Sequence, residues 1–186
     1  MRVFWEQGYE GASLTDLTGA MGINRTSMYA AFGNKENLFR KCLERYTEGP
    51  ASYGARALRE PTARQVATAL LNDAVRATTG IGSPAGCLGV RGSLAAGEPR
   101  SNARDARVAW RDEHVSLLRD RFRQAVDEGD LPPDADPSLL ARHLMTMANG
   151  IAVQAAGGIT RDVLQQVADM TLRSWPPTTG PAQPDT

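Results

Sequence analysis

The stretch that decides the fold is residues 8–39, GYEGASLTDLTGAMGINRTSMYAAFGNKENLF. It holds two short segments of helical pattern that are separated by a turn around Gly22. Ser13 and Asp16, three residues apart, are typical of the capping box that begins a helix. Gly22 tolerates the left-handed conformation that ends the first segment, and Asn24 is a favoured cap for the second. A helix, a glycine-containing turn and a second short helix together predict a helix-turn-helix motif.

In such a motif the second helix lies in the major groove of DNA, and the side chains near its start suit that position. Hydroxyl, arginine and lysine side chains reach phosphate oxygens, and the helix N-terminus adds a positive partial charge. Arg25 could pair with guanine, and the methyl group of Thr26 could meet thymine. The expected DNA contacts are Ser13, Thr15, Arg25, Thr26, Ser27, Tyr29 and Lys35.

The same stretch resembles the DNA-binding domain of the TetR/AcrR family of transcriptional regulators. The matching elements are, in chain order, Gly8-Tyr9, Ser13, Leu17, Met21-Gly22-Ile23, Tyr29, Phe32, Lys35, Leu38 and Phe39. The resemblance covers about the first 45 residues. It implies that Tyr29 and Lys35 contact phosphates and that residues 25–27 face the groove. Family members usually carry further residues before the position of Met1, so the first helix is expected to be truncated.

Composition limits the other classes of function. The chain has 186 residues, of which 41% are hydrophobic, enough for a DNA-binding unit and a helical domain with a core. Lys and Arg together number 21, as do Asp and Glu, so any DNA affinity must come from local placement of a few side chains. The cysteines, Cys42 and Cys87, form no CxxC pair and lie near no histidine cluster, which argues against a zinc site or a disulfide.

No apolar run approaches the roughly 20 residues that span a bilayer, and no signal peptide is visible. We therefore expect a cytoplasmic protein that has no membrane partner, metal or cofactor. The two histidines, His114 and His143, lie far apart and lack companion ligands, so core or surface positions are the more common interpretation.

Helical periodicity dominates the rest of the chain and predicts an all-α fold. A fourth helix should begin near Lys35, be interrupted at Gly49-Pro50, and resume from Ala51 to about Glu60. Further helices are expected at about 62–79, 87–96, 102–128, 137–156 and 160–172. The expected division is a helix-turn-helix domain over residues 1–46, a helical ligand-binding and dimerisation domain over 47–175, and a flexible proline-rich tail over 176–186.

The family resemblance implies that the second domain encloses a ligand cavity and dimerises through its last two helices. The expected cavity residues are Tyr53, Leu70, Ala74, Cys87, Val90, Trp110, His114, Leu117 and Met147. The expected dimer contacts are Leu140, Leu144, Ile151, Val163, Val167 and Met170. Tyr53, Trp110 and His114 could equally be packing residues, and Cys87 could be a sensing thiol or, more commonly, a small buried hydrophobe. Arg91 could meet a ligand carboxylate, although a solvated arginine is more common.

These observations predict a dimeric transcriptional repressor that binds a palindromic double-stranded operator and leaves it when an unidentified small molecule binds. The ligand would shift the short helix after Cys87 and the fourth helix, with Gly49-Pro50 as a pivot. One alternative is a helical ligand-binding dimer that no longer binds DNA. A small helical enzyme is disfavoured because no carboxylate pair, Cys–His pair or metal-ligand spacing is present. A winged-helix regulator needs a β-hairpin that the sequence does not supply.

Overall fold

The computed structural model describes residues 1–90 and 102–176, and every regular element within these ranges is an α-helix, as predicted. The helices are α1 (Arg2–Gly11), α2 (Leu14–Met21), α3 (Arg25–Phe32), α4 (Lys35–Glu48), α5 (Tyr53–Ala57), α6 (Ala63–Thr78), α7 (Asn102–Asp127), α8 (Pro137–Ala156) and α9 (Arg161–Arg173). None of these helices combines the length and apolar character that crossing a bilayer requires.

Local hydrogen bonds set the bounds of α2 and α3 where the sequence predicts them. The Ser13 hydroxyl accepts from the Asp16 backbone N–H, and the Asp16 carboxylate accepts from the Ser13 backbone N–H, which completes the capping box. Gly22 ends α2 in the left-handed region at φ 66° and ψ 29°. The Asn24 side-chain oxygen then accepts from the Ser27 backbone N–H at 2.8 Å and caps α3. The predicted turn geometry is thereby confirmed.

Glycines interrupt the helical pattern at two places. In α1 the backbone leaves the helical region at Gly8, and helical turns continue beyond this kink to Gly11. The interruption at Gly49-Pro50 is confirmed, because α4 ends at Glu48. The segment predicted to be helical from Ala51 to Glu60 contains only the short α5, with turns on either side.

The helix predicted over 87–96 is wrong for its first part. Residues 87–90 form a turn in which the Val90 N–H donates to the Cys87 carbonyl at 3.1 Å. Residues 91–96, including Arg91, lie outside the described residues, as does the predicted tail after Pro176. The turn lies so close to α7 that a Cβ atom on Gly89 would come within 2.3 Å of the Trp110 ring.

The C-terminal core lies where α6 packs between α8 and α9 and α7 packs along α8. Leu71 of α6, Phe122 of α7, Leu144 of α8 and Leu164 of α9 are almost fully buried there. Asp136 caps α8 and Pro137 occupies its first turn.

A second core lies among α1, α2, α3 and α4, and it does not end at the predicted domain boundary. The buried side chains of Phe4, Trp5, Phe39 and Tyr46 continue into residues 87–90. The Trp5 indole N–H donates to the Gly86 carbonyl at 3.2 Å, although 81 positions separate the two residues. Residues 86–90 therefore attach the N-terminal helices to the rest of the chain. The domain division itself stays a prediction.

This attachment predicts that a side chain at position 86 destabilises the folded protein. Gly86 has φ +87°, and an added Cβ atom would lie 2.9 Å from Ala156 Cβ and 3.0 Å from the Ala152 carbonyl. Gly82 has φ +88° and no neighbour within 4 Å, so Gly82→Ala measures the backbone strain alone. We expect Gly86→Ala to lower the free energy of unfolding by about 1–3 kcal/mol more than Gly82→Ala. Denaturant unfolding at one protein concentration tests this, and equal losses would contradict the packing argument.

Candidate DNA interface and ligand cavity

The second helix of the helix-turn-helix motif is α3, which the sequence predicts to enter the DNA groove and which we call the recognition helix. Its polar side chains face solvent. Arg25, Thr26, Ser27 and Tyr29 are exposed, whereas Met28 between them is fully buried and anchors the helix to the N-terminal core. The side-chain cap at Asn24 leaves the first turn of α3 otherwise open. An exposed helix N-terminus that carries arginine and hydroxyl groups is suited to phosphate and base contact.

Ser13, the cap of α2, and Thr15, in its first turn, already form hydrogen bonds within the motif. The Ser13 hydroxyl donates to the Asp16 carboxylate at 2.6 Å while accepting from the Asp16 N–H, so its capping role occupies it. Arg25 Nη2 donates to Thr15 Oγ1 at 3.2 Å, which brings together two of the expected DNA contacts from α2 and α3. The side chains of Thr15 and Arg25 remain exposed.

Lys35 lies at the start of α4, directly after the recognition helix. Its ammonium nitrogen lies 4.5 Å from the centroid of the Tyr9 ring, a cation–π contact that orients the side chain. Partial burial lowers the pKa of Lys35, and the Glu10 carboxylate opposes that shift by raising it. Tyr9 in turn contacts Phe39 at 5.3 Å between ring centroids, so the lysine is anchored to the N-terminal core.

A partly enclosed cavity of about 100 Å³ lies among α4, α5, α6, α7 and α8. Its lining residues are Thr47, Ala51, Gly54, Ala55, Leu58, Leu70, Glu113, His114, Leu117, Leu118 and Met145. A smaller space of about 30 Å³ adjoins it and shares part of that lining. The smaller space is lined by Ala51, Tyr53, Gly54, Leu70, Cys87, Trp110, His114, Met145, Ala148, Asn149 and Ala152.

Most of the expected ligand residues meet at these two spaces. The residues found there are Leu70, His114 and Leu117 at the larger space, and Tyr53, Leu70, Cys87, Trp110 and His114 at the smaller one. Ala74, Val90 and Met147 line neither space. Ala74 and Val90 are buried in core packing, and Met147 lies about 200° around α8 from the lining residue Met145. The cavity methionine is therefore Met145.

Sequence reasoning missed several lining residues. Thr47 and Gly54 belong to the segment around the α4–α5 break, where no periodic pattern indicates a face. Met145 and Ala148 share an α8 face with Ala141, and this spacing of three and four residues was the available signal.

Hydrogen bonds orient the two aromatic side chains of α7 that line the smaller space, Trp110 and His114. The Trp110 indole N–H donates to Thr47 Oγ1 of α4 at 2.7 Å. His114 Nδ1 lies 2.7 Å from the Trp110 backbone carbonyl, and the two rings are 4.2 Å apart. Because a carbonyl only accepts, Nδ1 must carry the proton in this contact. Burial also raises the pKa of Tyr53, so its phenol is neutral in the smaller space.

Trp110 also borders an open groove of about 440 Å³ between α4 and α7. The groove is lined by Arg40, Leu43, Glu44, Thr47, Glu48, Ala106, Ala109, Trp110 and Glu113. Within the described ranges, no group of three or more side chains has the arrangement of a metal site.

The expected dimer contacts divide into two groups. Leu140, Leu144 and Ile151 are at most 2% exposed, because α8 packs them against the chain's own core. They have no surface left for a partner, which corrects their assignment. Val163 and Met170 of α9 are instead 49% and 58% exposed, and Val167 is partly exposed.

An exposed recognition helix beside a helical domain with a partly enclosed cavity is the arrangement of a ligand-responsive helix-turn-helix regulator. The chain matches the family model described as bacterial regulatory proteins, tetR family, over residues 1–42. It matches the tetracyclin repressor-like C-terminal domain over residues 62–169. The chain therefore belongs to the TetR family, as the N-terminal motif predicts.

Individual relatives agree over nearly the whole chain. It is 31% identical to the HTH-type transcriptional repressor ComR of Escherichia coli K12, across 95% of this chain and 85% of that protein. It is 43% identical to the TetR family regulator CifR, solved as a cysteine mutant with a 26-bp operator DNA, with a TM-score of 0.87. That match covers 94% of this chain and 92% of the other. A regulator from Rhodococcus sp. RHA1 is 40% identical, with a TM-score of 0.64 and 93% of each chain covered.

The environment of Cys87 predicts a slowly reacting thiol. Burial raises its pKa, against the opposing effects of Tyr46, the Gly89 and Val90 backbone and Arg111. The thiolate that reacts with electrophiles is therefore scarce at neutral pH. We expect native Cys87 to alkylate with iodoacetamide at pH 7.5 at least about tenfold more slowly than in the denatured chain. Peptide mass spectrometry measures both rates, and a native rate equal to the denatured rate would contradict the prediction.

Proposed function

We propose that this protein is a dimeric transcriptional repressor that binds a palindromic operator through α3 and releases it when a small molecule enters the partly enclosed cavity. The observation that carries the proposal is the exposed polar start of α3, held by the Asn24 cap and by buried Met28. The relatives support it, because ComR is named a repressor and CifR was crystallised with operator DNA. A DNA-binding role also supports a cytoplasmic location and a regulatory rather than an enzymatic activity.

The dimer surface that we propose is the exposed apolar side of α9, with Val163, Val167 and Met170. A two-fold pairing there would present two copies of α3, whose separation sets the operator spacing. Half-sites one or more DNA turns apart, at about 34–36 Å per turn, are the geometric expectation. Selection of bound duplexes from a random pool tests the function, since it should recover an inverted repeat. Selection that enriches no sequence would contradict the proposal.

Within this proposal, the expected DNA contacts keep their assignment, with refinements at Thr15 and Ser13. Tyr29 and Lys35 would contact phosphates, while Arg25, Thr26 and Ser27 would face the groove. Thr15 would act together with Arg25, because the two side chains share a hydrogen bond. Ser13 would contribute chiefly by its backbone, since its hydroxyl completes the capping box.

Release by ligand would pass through Trp110. This side chain lines the smaller space beside the cavity on one side and the α4–α7 groove on the other, and its indole N–H donates to Thr47 near the end of α4. Because α4 follows the recognition helix after only Gly33-Asn34, a displaced indole would shift α3 as well. The break at Gly49-Pro50 would let α4 pivot without unfolding α5. The ligand must bind the released state more tightly than the DNA-bound state for this shift to occur.

Lys35 should contribute a phosphate contact that salt can reveal. Lys35→Gln removes one cation per protomer, so the slope of log K against log salt should become shallower by about 2 per dimer. Affinity for the selected operator should fall, and it should fall similarly on unrelated DNA. Arg123→Gln makes the same charge change on exposed α7 and should leave the slope unchanged. Fluorescence anisotropy over a salt series measures both, and equal slopes for the two variants would contradict the contact.

The hydrogen bond between Trp110 and Thr47 should hold α4 in the DNA-binding position. Thr47→Val keeps the side-chain shape but leaves the indole N–H without its partner, so operator affinity without ligand should fall about three- to tenfold. Thr47→Ser keeps the hydroxyl and should bind the operator within about twofold of the wild type. Anisotropy titrations measure both affinities. Wild-type affinity in the valine variant would remove this bond from the release mechanism.

A further inference from the structure

We propose that the partly enclosed cavity takes a small uncharged molecule, about the size of one six-membered ring, whose hydroxyl group donates a hydrogen bond to Nε2 of His114. The proposal rests on the proposed function, because it names the chemical class of the releasing ligand. It is argued from the volume of the cavity, the charge of its lining and the orientation of one histidine ring.

The volume sets the size of the ligand. The two spaces of about 100 Å³ and 30 Å³ share Ala51, Gly54, Leu70, His114 and Met145, so small side-chain movements would join them. An apolar cavity of about 150 Å³ is known to hold one benzene molecule. Larger metabolites and cofactor-sized ligands need roughly 300 Å³ or more. One ring with a short substituent therefore fits the space that the described residues enclose.

The lining selects against an anion. Leu58, Leu70, Leu118 and Met145 supply apolar surface, and the one charged residue in the described lining is the carboxylate of Glu113. A buried carboxylate or phosphate would lose its hydration without gaining a cationic partner from these residues. An uncharged ligand avoids that cost and keeps the benefit of apolar burial.

His114 supplies the hydrogen-bond acceptor. Its Nδ1 proton is committed to the Trp110 carbonyl at 2.7 Å, so Nε2 carries a lone pair in the neutral ring. The neighbouring ring atom Cδ2 lies 3.9 Å from where a Cβ atom on Gly54 would stand, so the Cδ2 side of the ring faces α5 at the border of the two spaces. No described group bonds to Nε2, although His114 lines both spaces. A hydroxyl donor on the ligand would complete this arrangement.

The open groove between α4 and α7 is a poorer ligand site, although it is larger. It is open to solvent, and its described rim carries the carboxylates of Glu44, Glu48 and Glu113 near a single arginine, Arg40. Solvent in such a groove competes for every polar contact, so a small neutral molecule gains little there.

Three probes of one size separate the elements of the proposal. Phenol has the ring and the donor, toluene has the ring alone, and benzoate has the ring with a negative charge. Isothermal titration calorimetry on the full chain should show that phenol binds more tightly than toluene and that benzoate does not bind. Phenol should also release the selected operator in the anisotropy assay.

Three variants locate the site. His114→Phe keeps a ring but removes the acceptor, so phenol should bind about tenfold more weakly while toluene binds within about twofold of the wild type. Gly54→Leu should fill the cavity and abolish binding of both probes, because Gly54 borders both spaces and has room for a Cβ atom. Gly54→Ala is the matched control and should retain both. Far-ultraviolet circular dichroism and thermal unfolding show that each variant is folded.

Several results would overturn the proposal. Benzoate binding as tightly as phenol would refute the charge argument, and equal loss of phenol and toluene in His114→Phe would refute the hydrogen bond. Phenol binding that survives Gly54→Leu would place the site elsewhere. Failure of phenol to bind a chain that still binds its operator would refute this ligand class while leaving the proposed function intact. Selection that recovers no operator would instead refute the proposed function, and calorimetry would still decide the ligand class.

Discussion

The position of the recognition helix depends on how α1 and α4 are attached to the rest of the chain, and two indole hydrogen bonds are part of that attachment. Trp5 of α1 donates to the Gly86 carbonyl, and Trp110 of α7 donates to the Thr47 hydroxyl of α4. Both rings pack against Tyr46, Trp5 at 4.9 Å and Trp110 at 6.3 Å between centroids. An indole N–H that loses its partner in such surroundings costs more than the bond itself contributes. The aromatic cluster therefore favours a few definite arrangements over gradual sliding.

This constraint explains why glycine occupies positions 86 and 89. Gly86 adopts a left-handed conformation against Ala156, and Gly89 lies against the Trp110 ring at a distance that admits no Cβ atom. Cys87 and Leu88 then fill the space beside Tyr46 and close the N-terminal core. The same turn borders the smaller space beside the cavity through Cys87. One short segment thus contacts both the N-terminal core and that space, as the proposed coupling between the two sites would require.

The N-terminal elements could be predicted because their determinants are local. Ser13, Asp16, Gly22 and Asn24 act within four residues of the backbone groups that they cap, so sequence spacing alone carries the information. The cavity depends on contacts between segments far apart in sequence. An apolar stripe on α8 shows that Leu140 and Leu144 are buried, but it does not distinguish the chain's own core from a partner subunit. Met147 lies on the side of α8 that carries this stripe, whereas the methionine that lines the cavity is Met145, on another side of the helix.

The zero net charge of the chain makes pairing part of the proposed DNA recognition. Without a general basic surface, each protomer can offer only a few phosphate contacts around α3 and Lys35. Two linked copies bind two half-sites, and the second contact becomes effectively intramolecular, which raises the affinity without new side chains. The partly or largely exposed Val163, Val167 and Met170 of α9 are therefore as important to the proposed operator binding as the residues that would touch DNA. A ligand that changes the separation of the two α3 helices would remove that gain while leaving each half-site contact chemically intact.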